Sequence, residues 1–65
     1  MSSKKLSEKQ HELMGLICLG NAPKEIARIR QRSYGTITKD ISRLSKALGA
    51  RTIEQAVHIY TLAEL

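Results

Sequence analysis

The sequence predicts a small all-α domain of four helices. In the middle of the chain, apolar residues recur at positions 37, 41, 44 and 48, which is the spacing of one helix face. Capping residues and helix-ending glycines divide the chain into four segments of about thirteen, nine, fifteen and twelve residues. The chain has 65 residues, with 42% apolar and 26% charged residues, as expected for one folded domain rather than a disordered segment.

The first helix is predicted to begin after Ser7, which forms an S-x-x-Q capping box with Gln10. Gly20 marks its end. Its role is packing, because one side is apolar throughout: Leu13, Met14, Leu16, Ile17 and Cys18.

Cys18 is the only cysteine in the chain. It lies in the apolar run LMGLICLG and has no second cysteine with which to pair. We therefore expect a buried, small apolar residue rather than a reactive thiol or an intermolecular disulfide.

The second helix is predicted to run from Pro23 to about Gln31. Proline suits a first helical turn because its missing N–H would have no partner there. The apolar residues of this helix are Ile26, Ala27 and Ile29. Its basic residues follow one another at intervals of four along another side, which either lies along the DNA backbone or is an ordinary exposed face: Lys24, Arg28 and Arg32.

The third helix is predicted over residues 34–48, between an N-cap at Ser33 and a stop at Gly49. On a helix turning by about 100° per residue, its four regularly spaced apolar residues form one narrow stripe. This stripe is expected to face the core: Ile37, Ile41, Leu44 and Leu48.

The opposite side of the third helix is basic and polar. A helix held by one apolar stripe and presenting Lys, Ser and Arg on the other side is suited to the DNA major groove. An ordinary solvated face has the same composition, so the helix alone leaves both interpretations open. The face consists of Gly35, Lys39, Ser42, Arg43 and Lys46.

The distribution of charge favours the first interpretation. Residues 24–46 include seven basic and two acidic residues, which account for the whole net charge of +5. The rest of the chain carries four basic and four acidic residues. A basic centre between neutral flanks is the pattern expected for binding a polyanion.

The last helix is predicted to start at a second capping box, formed by Thr52 and Gln55, and to continue to the end of the chain. One side is expected to close the core: Ile53, Ala56, Val57 and Tyr60.

A second apolar side of the last helix has nothing left in this short chain to cover it. Self-association through this side is the simplest explanation, and a frayed, partly exposed helix end is the alternative. The candidate dimerisation residues are Ile59, Leu62 and Ala63.

A tight link between the second and third of four helices is typical of a helix-turn-helix domain. Five segments resemble the LuxR-type (GerE-like) helix-turn-helix domain of bacterial transcription regulators, and the resemblance covers residues 6–65. The segments are L-S-x-x-x-x-E-L at 6–13, L-I-x-x-G at 16–20, K-E-I-A-R at 24–28, G-T-I at 35–37 and L-G-A-R-T-x-x-Q-A-V at 48–57.

The resemblance implies that the third helix is the recognition helix and that the fourth mediates dimerisation on a two-fold symmetric site. Because no sensing or phosphoacceptor domain accompanies this one, the chain resembles either the stand-alone members of the family or a domain cut from a longer protein. Transferred position by position, it implies base or adjacent phosphate contacts from Thr38, Lys39, Ser42 and Arg43, and backbone contacts from Lys24, Thr36 and Lys46.

The chain departs from the family at the link between the second and third helices. Arg30 and Arg32 stand where the family usually has apolar residues, and Gln31 stands where it has a small one. We expect a turn that differs from the family's, with Ile29 taking over a packing role and the arginine stems lying along apolar surface.

Asp40 is a departure within the third helix, because it stands where the family commonly has a histidine or another neutral residue. Three interpretations remain open: repulsion of phosphate, acceptance of a hydrogen bond from a cytosine amino group, and pairing with Arg43.

We expect a regulator that binds double-stranded DNA as a homodimer, with RNA polymerase as a further candidate partner. The alternative is a protein-interaction module that pairs with a larger LuxR-type regulator and blocks it. RNA binding is a weak variant, because the chain has no Phe or Trp and only two Tyr for stacking on unpaired bases.

Other function classes have little support. No catalytic constellation or glycine-rich phosphate loop is present, so we expect neither an enzyme nor a cofactor. His11 and His58 belong to no ligand-spaced cluster, which argues against a metal site. With no signal peptide or membrane-spanning run, the expected location is the cytoplasm, and the resemblance implies the bacterial nucleoid. Residues 1–5 are expected to be a mobile basic tail.

Overall fold

Residues 6–64, the part of the chain that the computed structural model describes, form four α-helices and no strand. The predicted all-α class is confirmed, whereas the predicted tail at 1–5 lies outside the described residues. Within residues 6–64, no helix has both the length and the apolar composition that a membrane crossing requires. The helices are α1 (Glu8–Cys18), α2 (Pro23–Arg30), α3 (Tyr34–Leu48) and α4 (Ile53–Glu64).

The predicted caps of α1 and α3 are present. Ser7 Oγ accepts from Gln10 N at 3.2 Å, and Ser7 N donates to Gln10 Oε1 at 2.9 Å, which completes the capping box. Ser33 Oγ accepts from Thr36 N at 3.1 Å. At the other end of α3, Gly49 adopts a left-handed conformation with φ of 74°, which glycine reaches without steric cost.

The capping box predicted for α4 is only half correct. Gln55 N donates to Thr52 Oγ1 at 3.0 Å as expected. The side chain of Gln55 instead accepts from Arg51 N at 2.7 Å, one residue before the predicted donor. The link before α4 therefore receives the hydrogen bond that a standard capping box gives to the N-cap residue itself.

The core lies where α1, α2 and α3 meet. Its four most enclosed side chains are 0–1% exposed: Met14, Ile26, Ile37 and Leu44. Ile41 is 7% exposed, and Leu48 is half-buried and packs against this cluster, so the predicted stripe of α3 does face the core. Burial of this stripe fixes the rotation of α3 and turns its basic side outward.

The last helix closes the core as predicted. Ala56 is 3% exposed, and Ile53, Val57 and Tyr60 pack partly buried against the cluster. A hydrogen bond of 3.0 Å between His11 Nδ1 and Tyr60 Oη also links α1 to α4.

Two expectations about α1 need revision. Cys18 is exposed, so its predicted burial is wrong. It is the last residue of α1 and lies on the side of the final turn that faces away from the core, since the preceding Ile17 packs against the core and the following Leu19 is 80% exposed. Conversely, Leu6 was not assigned to the core but is only 8% exposed.

The link between α2 and α3 turns through Gln31, which has left-handed backbone angles (φ 55°, ψ 47°). Arg32 N donates to Ala27 O at 2.9 Å, which closes the end of α2. A small residue suits this conformation better than glutamine, which has a Cβ. Ile29 is 54% exposed, so the packing role expected for it is wrong.

Candidate nucleic-acid interface

The outer side of α3 is free of contacts that would cover it. The five residues predicted for this face are all exposed: Gly35, Lys39, Ser42, Arg43 and Lys46. No carboxylate of the described residues lies within ion-pairing distance of the three bases. The face is therefore positively charged and open to a ligand.

Thr36 lies at the start of this face and is held by the cap of α3. Ser33 Oγ accepts from Thr36 N and donates to Thr36 Oγ1 at 2.9 Å. With Ser33 as the donor of this bond, Thr36 Oγ1 accepts and its own hydroxyl can donate to an anion. Thr36 is exposed, as a contact to the DNA backbone requires.

Thr38 is less accessible than its neighbours on the predicted face. It is half-buried, and its Oγ1 donates to Gly35 O at 2.9 Å within the same helix. Its hydroxyl proton is therefore engaged, which leaves an acceptor lone pair and a methyl group for a base contact.

Asp40 is half-buried at the edge of the face. The only ion pair among residues 6–64 joins other residues, so the pairing with Arg43 considered above is absent. The other two interpretations of Asp40, repulsion of phosphate and acceptance from cytosine, remain open.

Lys24 is exposed in the first turn of α2. Arg30, at the other end of this helix, lies about 9 Å from it along the axis, at about 1.5 Å per residue. A contact from Lys24 would therefore fall on a different part of a duplex from contacts made at the end of α2.

A surface cleft of about 340 Å³ opens where α1, the α2–α3 link and α3 meet. We call it the basic cleft, because four basic side chains and one acidic side chain line it. Thr36 also contributes to its wall. The charged lining residues are Lys9, Arg30, Arg32, Arg43 and Asp40.

Two of these bases, Lys9 and Arg30, were not predicted as binding residues. Lys9 lies outside the basic window of the sequence, and Arg30 was noted only as a departure from a family pattern, whereas Arg32 was placed on the side of the second helix that could lie along the DNA backbone. Arg30 Nη2 lies 3.8 Å from Glu12 Oε1, and the Arg30 side chain is 22% exposed. Arg32 is exposed.

The second apolar side of α4 has no cover from the described chain. Leu62 is 57% exposed, Ala63 is exposed and Ile59 is half-buried, and none of the three belongs to the core cluster. This surface is on a different helix from the basic face, so the same molecule can use both.

Among residues 6–64, no group of three or more His, Cys, Asp or Glu side chains is arranged to hold a metal ion. Comparisons with protein-family models, with curated proteins and with solved structures found no match.

Proposed function

We propose that the protein is a sequence-specific regulator of transcription that binds double-stranded DNA in the manner of the LuxR-type helix-turn-helix domains. In this proposal α3 enters the major groove, and the apolar side of α4 joins two copies on a two-fold symmetric site. The observation that carries the proposal is the two-sided character of α3, whose inner stripe is buried and whose outer side is exposed and basic.

The accessible side chains of α3 have the chemistry that groove recognition needs. Arg43 can donate two hydrogen bonds to the O6 and N7 atoms of guanine, and Lys39 can reach guanine or a phosphate. Ser42 can donate or accept at a base edge. These residues occupy the same exposed side of one helix, so a single docking orientation serves all three.

Backbone contacts would fix the register of this docking. Thr36 has a hydroxyl proton available at the start of α3, and Lys46 lies in the last turn. Contacts of this kind orient a protein on the duplex without reading its sequence. Lys24, in the first turn of α2, would make another such contact with the DNA backbone.

The proposed regulator acts in the bacterial cytoplasm, at the nucleoid. RNA polymerase would be a partner if the protein activates transcription. The alternative module, which blocks a larger regulator, would use the side of α4 with Leu62 and would leave the basic face of α3 unused.

The test begins with selection of duplexes from a randomised library. Fluorescence anisotropy of the selected duplex then compares Lys39→Gln and Arg43→Gln with Arg51→Gln, which removes the same charge from the exposed α3–α4 link. We expect Arg43→Gln to weaken binding about tenfold or more, since a bidentate base contact contributes about 1–3 kcal/mol. Arg51→Gln should change the affinity by less than about threefold, within the range of a distant surface charge.

Three results would contradict the proposal. If a folded protein binds no duplex at low salt, the blocking module becomes the better explanation. Preference for a single-stranded oligomer would favour the RNA-binding variant. Equal weakening by Arg43→Gln and Arg51→Gln would mean that α3 does not read the groove.

A further inference from the structure

We propose that the basic cleft binds a phosphate group, which the DNA backbone supplies at the edge of the groove that α3 enters. The inference rests on the proposed function and assigns a ligand to residues outside the predicted recognition face. Its basis is that packing brings Lys9 of α1 and Arg32 of the α2–α3 link to one cleft with Arg43 of α3.

The charge of the basic cleft favours an anion. Its four bases and one acid give a formal charge of +3 around about 340 Å³ of space. Among the described side chains, Arg30 is the one base of the cleft with an ion-pair partner, so no direct ion pair offsets the charges of Lys9, Arg32 and Arg43. An excess of positive over negative charge raises the local concentration of an anionic ligand.

The hydrogen-bonding groups of the basic cleft suit phosphate in particular. A guanidinium group presents paired N–H donors that match two oxygens of one phosphate, and Arg32 and Arg43 are both exposed to a ligand. The Thr36 hydroxyl is a further, uncharged donor on the wall of the cleft that α3 forms. Arg30 is engaged in an ion pair with Glu12, with 3.8 Å between Nη2 and Oε1.

The position of the cleft indicates the duplex as the source of the phosphate. Thr36 and Arg43 line the cleft and also belong to the exposed side of α3. They are seven residues apart, or about 10 Å along the helix axis. A duplex lying against α3 therefore passes the opening of the cleft, and contacts from three separate elements would fix the angle at which α3 enters the groove.

Asp40 limits how the phosphate can sit. Its half-buried carboxylate lies on the α3 wall of the cleft and would repel an anion placed against it. The bases of α1 and of the α2–α3 link lie on the other walls. The phosphate is therefore expected between Lys9, Arg32 and Arg43 rather than against Asp40.

The experiment measures binding of a mixed-sequence duplex over a range of salt concentrations. Lys9→Gln and Arg32→Gln are each compared with Arg51→Gln, and circular dichroism checks that every variant is folded. Each cleft variant should reduce the slope of log affinity against log salt by about 0.9, the value for one lost phosphate contact. The loss should be the same for all sequences, because phosphate contacts carry no base information. Slopes equal to that of Arg51→Gln would overturn the proposal while leaving the proposed function intact.

A second measurement separates the two proposals if the wild-type protein binds no duplex. Inorganic pyrophosphate is titrated into the ¹⁵N-labelled protein, and the amide signals of residues 9, 32 and 36 are followed. Saturable shifts that Arg32→Gln abolishes would keep the phosphate site and assign it to a free phosphate compound, although the proposed function fails. Absence of such shifts would overturn the cleft as a phosphate site as well.

Discussion

Arg30 at the end of α2 and Glu12 in the middle of α1 form an ion pair, with 3.8 Å between Nη2 and Oε1. The pair lies beside the basic cleft, since Arg30 also lines it. The Glu12 side chain is 69% exposed, so water screens the interaction and its contribution to stability is small. Its main effect is on charge, because it neutralises one base of the cleft.

Glu12→Gln is therefore expected to strengthen DNA binding with little effect on stability. Freeing the Arg30 charge should tighten binding of a mixed-sequence duplex about two- to fivefold, as expected for about 1 kcal/mol or less between charges in water. The free energy of unfolding should fall by less than about 1 kcal/mol. Anisotropy and urea denaturation measure the two quantities. The control is Glu54→Gln, which removes an exposed acid from the first turn of α4. An equal gain in affinity in this control would contradict an effect of Glu12 on the basic cleft.

Ser33→Ala should destabilise the domain by about 1 kcal/mol, because Thr36 N loses its hydrogen-bond acceptor at the start of α3. Urea denaturation gives the value. Ser33→Asp retains an acceptor and should recover most of the loss, whereas Ser42→Ala on the exposed side of α3 should change stability by less than about 0.5 kcal/mol. A loss in Ser33→Asp as large as that in Ser33→Ala would show that the cap contributes little.

Gln31→Gly should stabilise the domain by up to about 1 kcal/mol, because glycine adopts left-handed angles without the steric cost that other residues incur. Gln31→Val should have the opposite effect, by about 1 kcal/mol or more, since a β-branched residue fits this conformation poorly. Thermal and urea unfolding of the two variants measure the difference in their stability. Equal stabilities would contradict the left-handed turn at this position.

Two isoleucine substitutions separate the core from the surface. Ile37→Ala should cost about 2–5 kcal/mol, because Ile37 is 0% exposed and its truncation leaves a cavity. Ile29→Ala makes the same chemical change at a residue that is 54% exposed, and should stay within about 0.5 kcal/mol of wild type. A large loss in Ile29→Ala would mean that a partner or a second copy covers this residue in solution.

Leu62→Lys should convert the proposed dimer to monomer, because it places a charge on the uncovered apolar side of α4. Sedimentation equilibrium measures the mass. Leu19→Lys is the matched control, since Leu19 is 80% exposed at the end of α1 and lies on another surface. A wild-type protein that is monomeric at all concentrations, or dissociation by Leu19→Lys alone, would contradict dimerisation through α4.

Local signals in the sequence were sufficient to predict the four helices. Ser7, Ser33 and Gly49 act within a single helical turn, so their effect on the chain can be read without knowledge of the fold. The apolar stripe of α3 also follows from periodicity alone, and with it the exposure of Lys39 and Arg43 on the opposite side.

Burial that depends on contacts with other helices could not be predicted from such local signals. Cys18 belongs to an apolar run, but its burial depends on which side of the last turn of α1 packs against the core, and that side carries Ile17 rather than Cys18. Ile29 is apolar at a helical spacing, yet it is 54% exposed, because the burial of Ile26 and Ala27 turns the side of α2 that carries Ile29 away from the core.

The sequence by itself determined the four helices, the caps of α1 and α3, and the basic and apolar sides of α3, because each depends on residues within one or two turns. Only the tertiary structure decided that Lys9, Arg32 and Arg43 meet at one cleft and that Glu12 neutralises Arg30 beside it. These residues lie on different elements, and the packing of α1, α2 and α3 around their shared core sets the distances between their charges.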